Sequence, residues 1–445
     1  MNRFLSILLA VTAIAVSGLF FTSCEDDSGT KPSTSKEMKI AVFTDPHYFS
    51  PSLGTSGAAF EQYLAMDRKL IAESQAILEA TVAAIIADKP DVVIVPGDLT
   101  KDGEKVTHEE FAAYMRQIED AGAKVYVIPG NHDVDNPASY SYSGNNRTLV
   151  PTVSAQEFAQ IYADFGYDEA KYKDPNSLSY VAEPVKGIWL LGMDACRYKE
   201  NPGKTHPVTG GRFSQETFTW IKNKLQEAKD SKIRVFGFLH HGILEHFAGQ
   251  KSNPVSSEYV IDDCDNAASE FASLGLEIVF TGHFHSNDIV MKDYGGNVLY
   301  DIETGSTITF PCPYRVIDYD GETKFDISTK YIESINYDTQ GMSFPDYAKN
   351  YLQSGMLGLI EYTLMNQFGV SEEEAEQLAP LMLAAFMAHY QGDERYPDQQ
   401  TQAMVEQMMQ STDPTTQLFG SSLAAMFNDP MPPDNDYVIT LKAIK

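Results

Sequence analysis

The sequence predicts an α/β fold of stacked layers carrying a mostly helical appendage at its far end. Three observations lead there. Short apolar runs rich in Val, Ile and Phe recur between residues 39 and 306, helical periodicities lie between several of them, and clusters of Asp, Asn and His close them.

The runs are KIAVFTD (39–45), DVVIVPGD (91–98), KVYVIPGNHD (124–133), IWLLGMD (188–194), IRVFGFLHH (233–241), LEIVFTGHFH (276–285) and NVLYDIETGS (297–306). Apolar without strict alternation, they suit strands buried on both faces. Residues 69–87 place Leu70, Ile71, Ile77, Leu78, Val82, Ile85 and Ile86 roughly on one helical face, and 108–121, 155–165, 214–230 and 265–274 behave similarly. Strand and helix in alternation make a layered α/β domain.

Beyond about residue 320 the pattern changes. KFDISTKYI (324–332) and YVITLKAIK (437–445) read as strands, and helical segments at 349–368, 371–391 and 400–410 lie between them. Residues 333–434 are therefore expected to be a helical excursion closed by a returning strand. Its Met356, Leu357, Leu359, Met365, Leu378, Leu381, Met382, Leu383 and Met387 read as helix–helix core. No repeat appears at solenoid or propeller periods.

At 445 residues the chain exceeds what one core fills, about 250–300 residues. The expected division is one domain over 38–322 and an α-rich appendage over 323–445. With 43% hydrophobic and 21% charged residues, neither wholesale disorder nor a multi-span membrane protein fits. A formal charge of −29 argues against a nucleic-acid polymer as partner, because phosphate backbones would be repelled over most of the surface. A cation-filled site sits comfortably in such a field.

The chain opens with Arg3, an apolar stretch over residues 4–21, and Thr22-Ser23-Cys24. That order reads as an export signal over 1–23. Its end resembles a bacterial lipoprotein box, which implies that Cys24 is the lipidated first residue of the mature chain. Glu25-Asp26-Asp27 resembles the acidic tag some Gram-negative bacteria use for surface display, and residues 24–37 read as a flexible tether. The expectation is an exported protein, held in the bacterial envelope only through the lipid on Cys24. Cys196, Cys264 and Cys312 are odd in number and widely spaced, so they form no disulfide framework; buried thiols are expected, with one pair bridged if the compartment is oxidising.

The chemistry lies in the polar clusters. Asp45-Pro46-His47, Gly97-Asp98, Gly130-Asn131-His132-Asp133, His240-His241 and Gly282-His283-Phe284-His285 each fall just past the carboxyl end of an expected strand, where open α/β sheets build their sites. They offer carboxylate, amide oxygen and imidazole without a thiolate, a donor mixture suited to Mn, Fe or Zn. Residues at i and i+2 past a strand project to one side, so Asp45 with His47, and His283 with His285, can converge.

The series DxH, GD, GNHD, HH and GHxH resembles the calcineurin-like metallophosphoesterase superfamily, over residues 39 to about 320. Each fragment is weak alone and the combination is specific. The resemblance implies an αββα sandwich and two divalent metal ions. It assigns Asp45, His47, Asp98 and His285 to one ion, and Asp98 with Asn131, His240 and His283 to the other. It makes His132 the acid beside the leaving-group oxygen, with Asp133 orienting its imidazole. The implied reaction is hydrolysis of a small phosphate ester by a hydroxide between the ions, with phosphodiesters of the cyclic-nucleotide or glycerophosphodiester type first. Phosphomonoesterase and nucleotide pyrophosphatase are the near alternatives. A surface binding lipoprotein with a vestigial metal core is the alternative of another class.

Gly242 stands where family members commonly have Pro after the double histidine; strand register favours His240 as the ligand, with His241 facing substrate or solvent. The tract 99–108 (LTKDGEKVTH) resembles a pattern of bacterial members, with His108 expected to cap a helix or support the site by a hydrogen bond. His206 and His246 are expected at the surface, His389 as a satisfied core histidine and Asp194 as a structural carboxylate. Arg315 suits either a substrate-phosphate clamp or a structural ion pair. The Tyr/Ser/Gly-rich stretch 139–152 is a candidate pocket rim.

Overall fold

The computed structural model describes residues 37–253 and 256–444. The expected export signal, Cys24 and nearly all of the expected tether lie outside the described residues. The strands are β1 (Met38–Val42), β2 (Val92–Val95), β3 (Lys124–Val127), β4 (Tyr140–Ser143), β5 (Asn146–Leu149), β6 (Tyr172–Lys173), β7 (Tyr180–Val185) and β8 (Ile188–Met193). They continue with β9 (Arg234–Leu239), β10 (Ile278–Thr281), β11 (Asp288–Asp293), β12 (Val298–Glu303), β13 (Pro313–Tyr319), β14 (Lys324–Tyr331) and β15 (Asp436–Thr440). The helices are α1 (Ala58–Leu64), α2 (Ser74–Asp88), α3 (Lys105–Asp120), α4 (Ala155–Ile161), α5 (Gln215–Asp230), α6 (Cys264–Ser273), α7 (Phe344–Gln367), α8 (Glu372–Gln391), α9 (Gln399–Met409) and α10 (Pro414–Met426).

Two mixed sheets form the body, ordered β15-β14-β13-β1-β2-β3 and β11-β12-β10-β9-β8-β7-β6. In the first, β1, β2 and β3 are parallel; in the second, β8, β9, β10 and β12 are parallel. The sheets share a core. Phe236 and Phe238 of β9, Ile188 and Leu190 of β8, and Ile278 and Phe280 of β10 enter it together with Ile40 and Val93 of the first sheet. The intervening Val235, Leu239, Trp189, Leu191 and Val279 point the other way, into a cluster with Ile221 and Leu225 of α5 and Phe271 of α6. Both faces are therefore apolar, which is why these runs lack alternation in the sequence. Helices α2 and α3 cover the first sheet through Ile77, Val82, Phe111 and Met115, completing an αββα stack.

The helical segment α7–α10 leaves from β14 and returns through β15, and both strands extend the first sheet. Helix α8 opens with a capping box between Ser371 and Glu374, and α7 with Ser343 accepting from the Asp346 amide. Met356, Ile360 and Leu364 of α7 pack with Ala379 and Tyr390 of α8 and Phe419 of α10. A second cluster joins Leu381, Ala385, Val405 and Leu423 to Phe247 and Phe284 of the body. The helices thus rest on Phe284, between His283 and His285. Met365, expected in the core, is exposed. Among the described residues no helix is long and apolar enough to cross a membrane.

The stretch 139–152 is no open loop: β4 and β5 pair as a hairpin. Tyr142 of that hairpin packs against Phe49 and Phe60. Cys196, Cys264 and Cys312 are all free thiols, and Cys196 is only partly buried.

Candidate metal centre

The loops after β1, β2, β3, β9 and β10 meet, bringing all seven candidate ligands together. Five of them hold left-handed backbone, a conformation costly for residues with a side chain: Asp45 (φ 49°), His47 (35°), Asp98 (47°), His283 (77°) and His285 (69°). Such strain survives only where the surroundings impose it, and it concentrates at functional sites. Two glycines permit the approach. A Cβ on Gly130 would lie 2.1 Å from Asp98 Oδ1, and one on Gly282 would lie 2.4 Å from Asp45 Oδ2.

Each central carboxylate has one oxygen tied and the other aimed inward. Asp98 Oδ1 accepts from the His132 amide at 2.8 Å. Its Oδ2 lies 3.5 Å from His47 Nε2 and 3.4 Å from His240 Nε2. Asp45 Oδ2 accepts from Thr44 Oγ1 at 2.7 Å and from the His283 amide at 3.0 Å. Its Oδ1 is fully buried without a hydrogen-bond partner, 3.7 Å from His47 Nε2 and 3.4 Å from His285 Nε2.

The imidazoles are oriented from behind. His240 Nδ1 donates to the Pro96 carbonyl at 2.8 Å, His283 Nε2 to the Glu258 carbonyl at 3.3 Å and His285 Nδ1 to Thr309 Oγ1 at 3.2 Å. In the neutral rings of His283 and His285 the other nitrogen keeps its lone pair for the centre. Burial holds His47, His283 and His285 below their ordinary pKa, so they stay neutral. For His240, burial is outweighed by Asp98, which raises it to about 9.

These residues fit metal ions. His47 Nε2 and His285 Nε2 face each other at 3.3 Å, and Asn131 Oδ1 lies 3.1 Å from His240 Nε2. Ligands about 2.0–2.2 Å from a shared cation stand roughly 3.0–3.6 Å apart, the spacing of these pairs. Asp45, His47 and His285 make one donor group and Asp98, His240 and His283 another, with Asp98 Oδ2 beside both.

His132 lies at the edge of the centre, its Nδ1 3.0 Å from Asp102 Oδ1. Burial would lower its pKa, but the charges of Asp98 and Asp102 raise it, favouring an imidazolium. Asp102, not Asp133, therefore orients this ring. Asp133 is turned into the β2 loop, accepting from the amides of Leu99 (3.1 Å), Thr100 (3.0 Å) and Gly130 (2.8 Å) and from Thr100 Oγ1 (2.9 Å). Asp102 is held in turn by the buried Lys101, which also faces Glu104.

Other positions differ from expectation. His241 is wholly buried and donates through Nε2 to the Thr209 carbonyl at 2.8 Å, so it faces neither solvent nor an open pocket. His246 is buried, not at the surface. Arg315 is no phosphate clamp: its guanidinium is enclosed, donating to Thr329 Oγ1 and to the carbonyls of Asp434 and Glu303. His108 donates through Nε2 to the Asp133 carbonyl (2.9 Å) and accepts from Tyr162 (2.8 Å), supporting the loop below the centre. Asp194 accepts from the Leu178 and Cys196 amides and from Tyr198, and His206 is exposed.

Arg68 and Lys69 were not among the expected site residues. Lys69 acts electrostatically on His47, His132 and His285, and Arg68 on His285. Arg68 donates to Tyr390 Oη of α8 at 3.1 Å. It also lines an apolar cavity of about 170 Å³ with Tyr259, Phe284, Met356 and Phe386, between the body and the helical segment. Nothing local in the sequence marks this pair, since it follows no strand.

A layered α/β body with metal-ligand groups at its strand ends is the class of protein that fold and site define. Residues 38–287 match the model of the calcineurin-like phosphoesterase family, and the chain belongs to that family. A probable glycerophosphodiester phosphodiesterase, GpdQ, of Arcobacter nitrofigilis is 27% identical over 153 residues, 34% of this chain and 42% of that protein. The match thus spans less than half of that relative. Among solved structures, a dimetal phosphatase from Danio rerio is similar at 15% identity and a TM-score of 0.45, covering 67% of this chain and 97% of that one. Purple acid phosphatase PPD1 from yellow lupin aligns at 11% identity and a TM-score of 0.40, covering 67% of this chain and 52% of that one.

Proposed function

We propose that this chain hydrolyses phosphate esters, phosphodiesters foremost, at a pair of divalent metal ions held by Asp45, His47, Asp98, Asn131, His240, His283 and His285. The position of Asp98 Oδ2 carries the proposal: at 3.5 Å from His47 Nε2 and 3.4 Å from His240 Nε2, it can be shared between two ions. The ions, Mn, Fe or Zn, would polarise the phosphoryl group and lower the pKa of water at the site.

The chain's own groups do the rest. His132, kept protonated beside Asp102, is placed to give a proton to the departing alkoxide. Arg68 and Lys69 bring positive charge near His47, His132 and His285, which favours an anionic ester at the site. The preference for diesters draws support from the likeness to the Arcobacter protein named a probable glycerophosphodiester phosphodiesterase. The reading also takes the protein as exported and anchored through a lipid on Cys24, on the strength of the leader sequence alone.

Purified protein reconstituted with Mn²⁺ and assayed on bis-p-nitrophenyl phosphate and p-nitrophenyl phosphate tests the proposal. Faster turnover of the diester is expected. A strong preference for the monoester would shift the assignment to a phosphomonoesterase, and hydrolysis of neither would leave a binding protein.

A further inference from the structure

Three residues past His285 the chain enters β11 at Asp288, whose side chain is completely buried. Neither of its carboxylate oxygens has a hydrogen-bond partner among the described residues. Three side chains from distant parts of the sequence surround it. His389 comes from the end of α8, Glu394 from the turn after α8, and His246 from the loop beyond β9.

Asp288 Oδ2 lies 3.0 Å from His246 Nδ1 and 3.8 Å from His389 Nδ1, and His389 Nδ1 also meets Glu394 Oε1. One donor atom each from Asp288, His389 and Glu394 lie within 4.8 Å of one another. His389 Nε2 and Glu394 Oε2 are buried without partners. The neighbouring carboxylates are otherwise employed: Asp301 accepts from the amides of Ile243 and Leu244, and Glu303 from Ser286. His246 Nε2, 3.4 Å from each of them, serves as their counter-charge. His246 Nδ1 also faces Asp288, at 3.0 Å, so one imidazole is shared among three buried carboxylates, while Glu394 meets the His389 ring.

Carboxylates enclosed this way must take up protons or hold a cation, since bare buried charge is too costly. A proton would satisfy one oxygen. A divalent ion would satisfy the unpartnered oxygens of Asp288 and Glu394 and a nitrogen of His389 together. Two carboxylates with an imidazole favour a borderline transition ion over Ca²⁺ or Mg²⁺, which prefer oxygen alone.

We propose that Asp288, His389 and Glu394 form a further divalent-metal site, for Zn²⁺ or Mn²⁺, that clamps the helical segment onto the phosphoesterase body. The site uses none of the seven residues at the strand ends. It joins β11 to the close of α8, across about one hundred residues of sequence, where such a tie removes the most freedom from the unfolded chain.

Metal counting on the purified protein, stripped with a chelator and reloaded with Zn²⁺, tests this. The His389→Gln and Glu394→Gln variants are each expected to hold one equivalent fewer than the parent, and to lose part of the melting-temperature rise that Zn²⁺ produces. Asp98→Asn is expected to retain the equivalent and its stabilisation. Equal metal content in the parent and in a folded His389→Gln protein would overturn the proposal. Should both variants fail to fold, crystals of the parent protein grown with Zn²⁺ decide. An anomalous peak about 2.0–2.2 Å from donor atoms of Asp288, His389 and Glu394 supports the site, and its absence overturns it.

Discussion

His132 Nδ1 lies 3.0 Å from Asp102 Oδ1, joining the centre's edge to the loop that follows β2. With Nδ1 committed to this carboxylate, Nε2 is left to carry a proton towards a leaving group. The His132→Gln variant should lose about 10²–10⁴-fold in kcat on alkyl phosphodiesters. On p-nitrophenyl esters, whose leaving group needs little protonation, the loss should be far smaller. Asp102→Asn should show the same leaving-group dependence at about 10–100-fold. Steady-state kinetics across a series of leaving-group pKa values checks both; equal losses across the series would remove His132 from that role.

Asp133 has a different task. Its carboxylate accepts from three buried amides and the Thr100 hydroxyl. Each buried donor left unpaired costs about 1–3 kcal/mol. Asp133→Ala should therefore destabilise the fold by about 3 kcal/mol or more, read by chemical denaturation. Its effect on rate should not depend on the leaving group.

Much of the centre could be read from the sequence because each ligand follows a strand closely, so strand ends placed them before any contact was known. Asp45, Asp98, Asn131, His240 and His283 all obey this rule. Asp102, Arg68 and Lys69 do not: they sit in loops whose course depends on tertiary packing. The family resemblance also placed Asp133 behind the His132 ring, as the group orienting it. Adjacent residues in a tight turn point apart, and Asp133 points into the turn while His132 points out. His246 looked like a surface residue because its partners, Asp288, Asp301 and Glu303, lie more than forty positions away. Strands 324–331 and 436–440 were legible from composition, but their places in the first sheet, β14 beside β13 and β15 beside β14, were not.

Gly130 offers a test of the close packing. An added methyl would stand 2.1 Å from Asp98 Oδ1 and 2.2 Å from the Asp98 backbone nitrogen, with rigid backbone on one side. Gly130→Ala should displace Asp98 and cost more than the roughly 10–100-fold typical of losing an outer partner of a metal ligand. Metal titration of the folded variant checks this, with weakened binding expected.

His108 gives the fold an acid limit. Burial lowers its pKa to about 3, below the unfolded value of about 6.5. Between these values the unfolded chain binds more protons than the folded one. The contribution of this neutral ring is therefore fully present above pH 6.5 and is lost as pH falls towards 3. The slope from this group is about 1.4 kcal/mol per pH unit. Denaturation midpoints of the parent protein should fall across that window, and His108→Gln should flatten the dependence by up to one proton's worth.

The shared position of Asp98 is tested most directly by electron paramagnetic resonance of the Mn²⁺-loaded protein. Two ions held about one carboxylate oxygen should give an exchange-coupled spectrum, and Asp98→Asn should abolish the coupling. A parent protein showing only isolated Mn²⁺ signals, or a coupled spectrum unchanged in Asp98→Asn, would contradict the account.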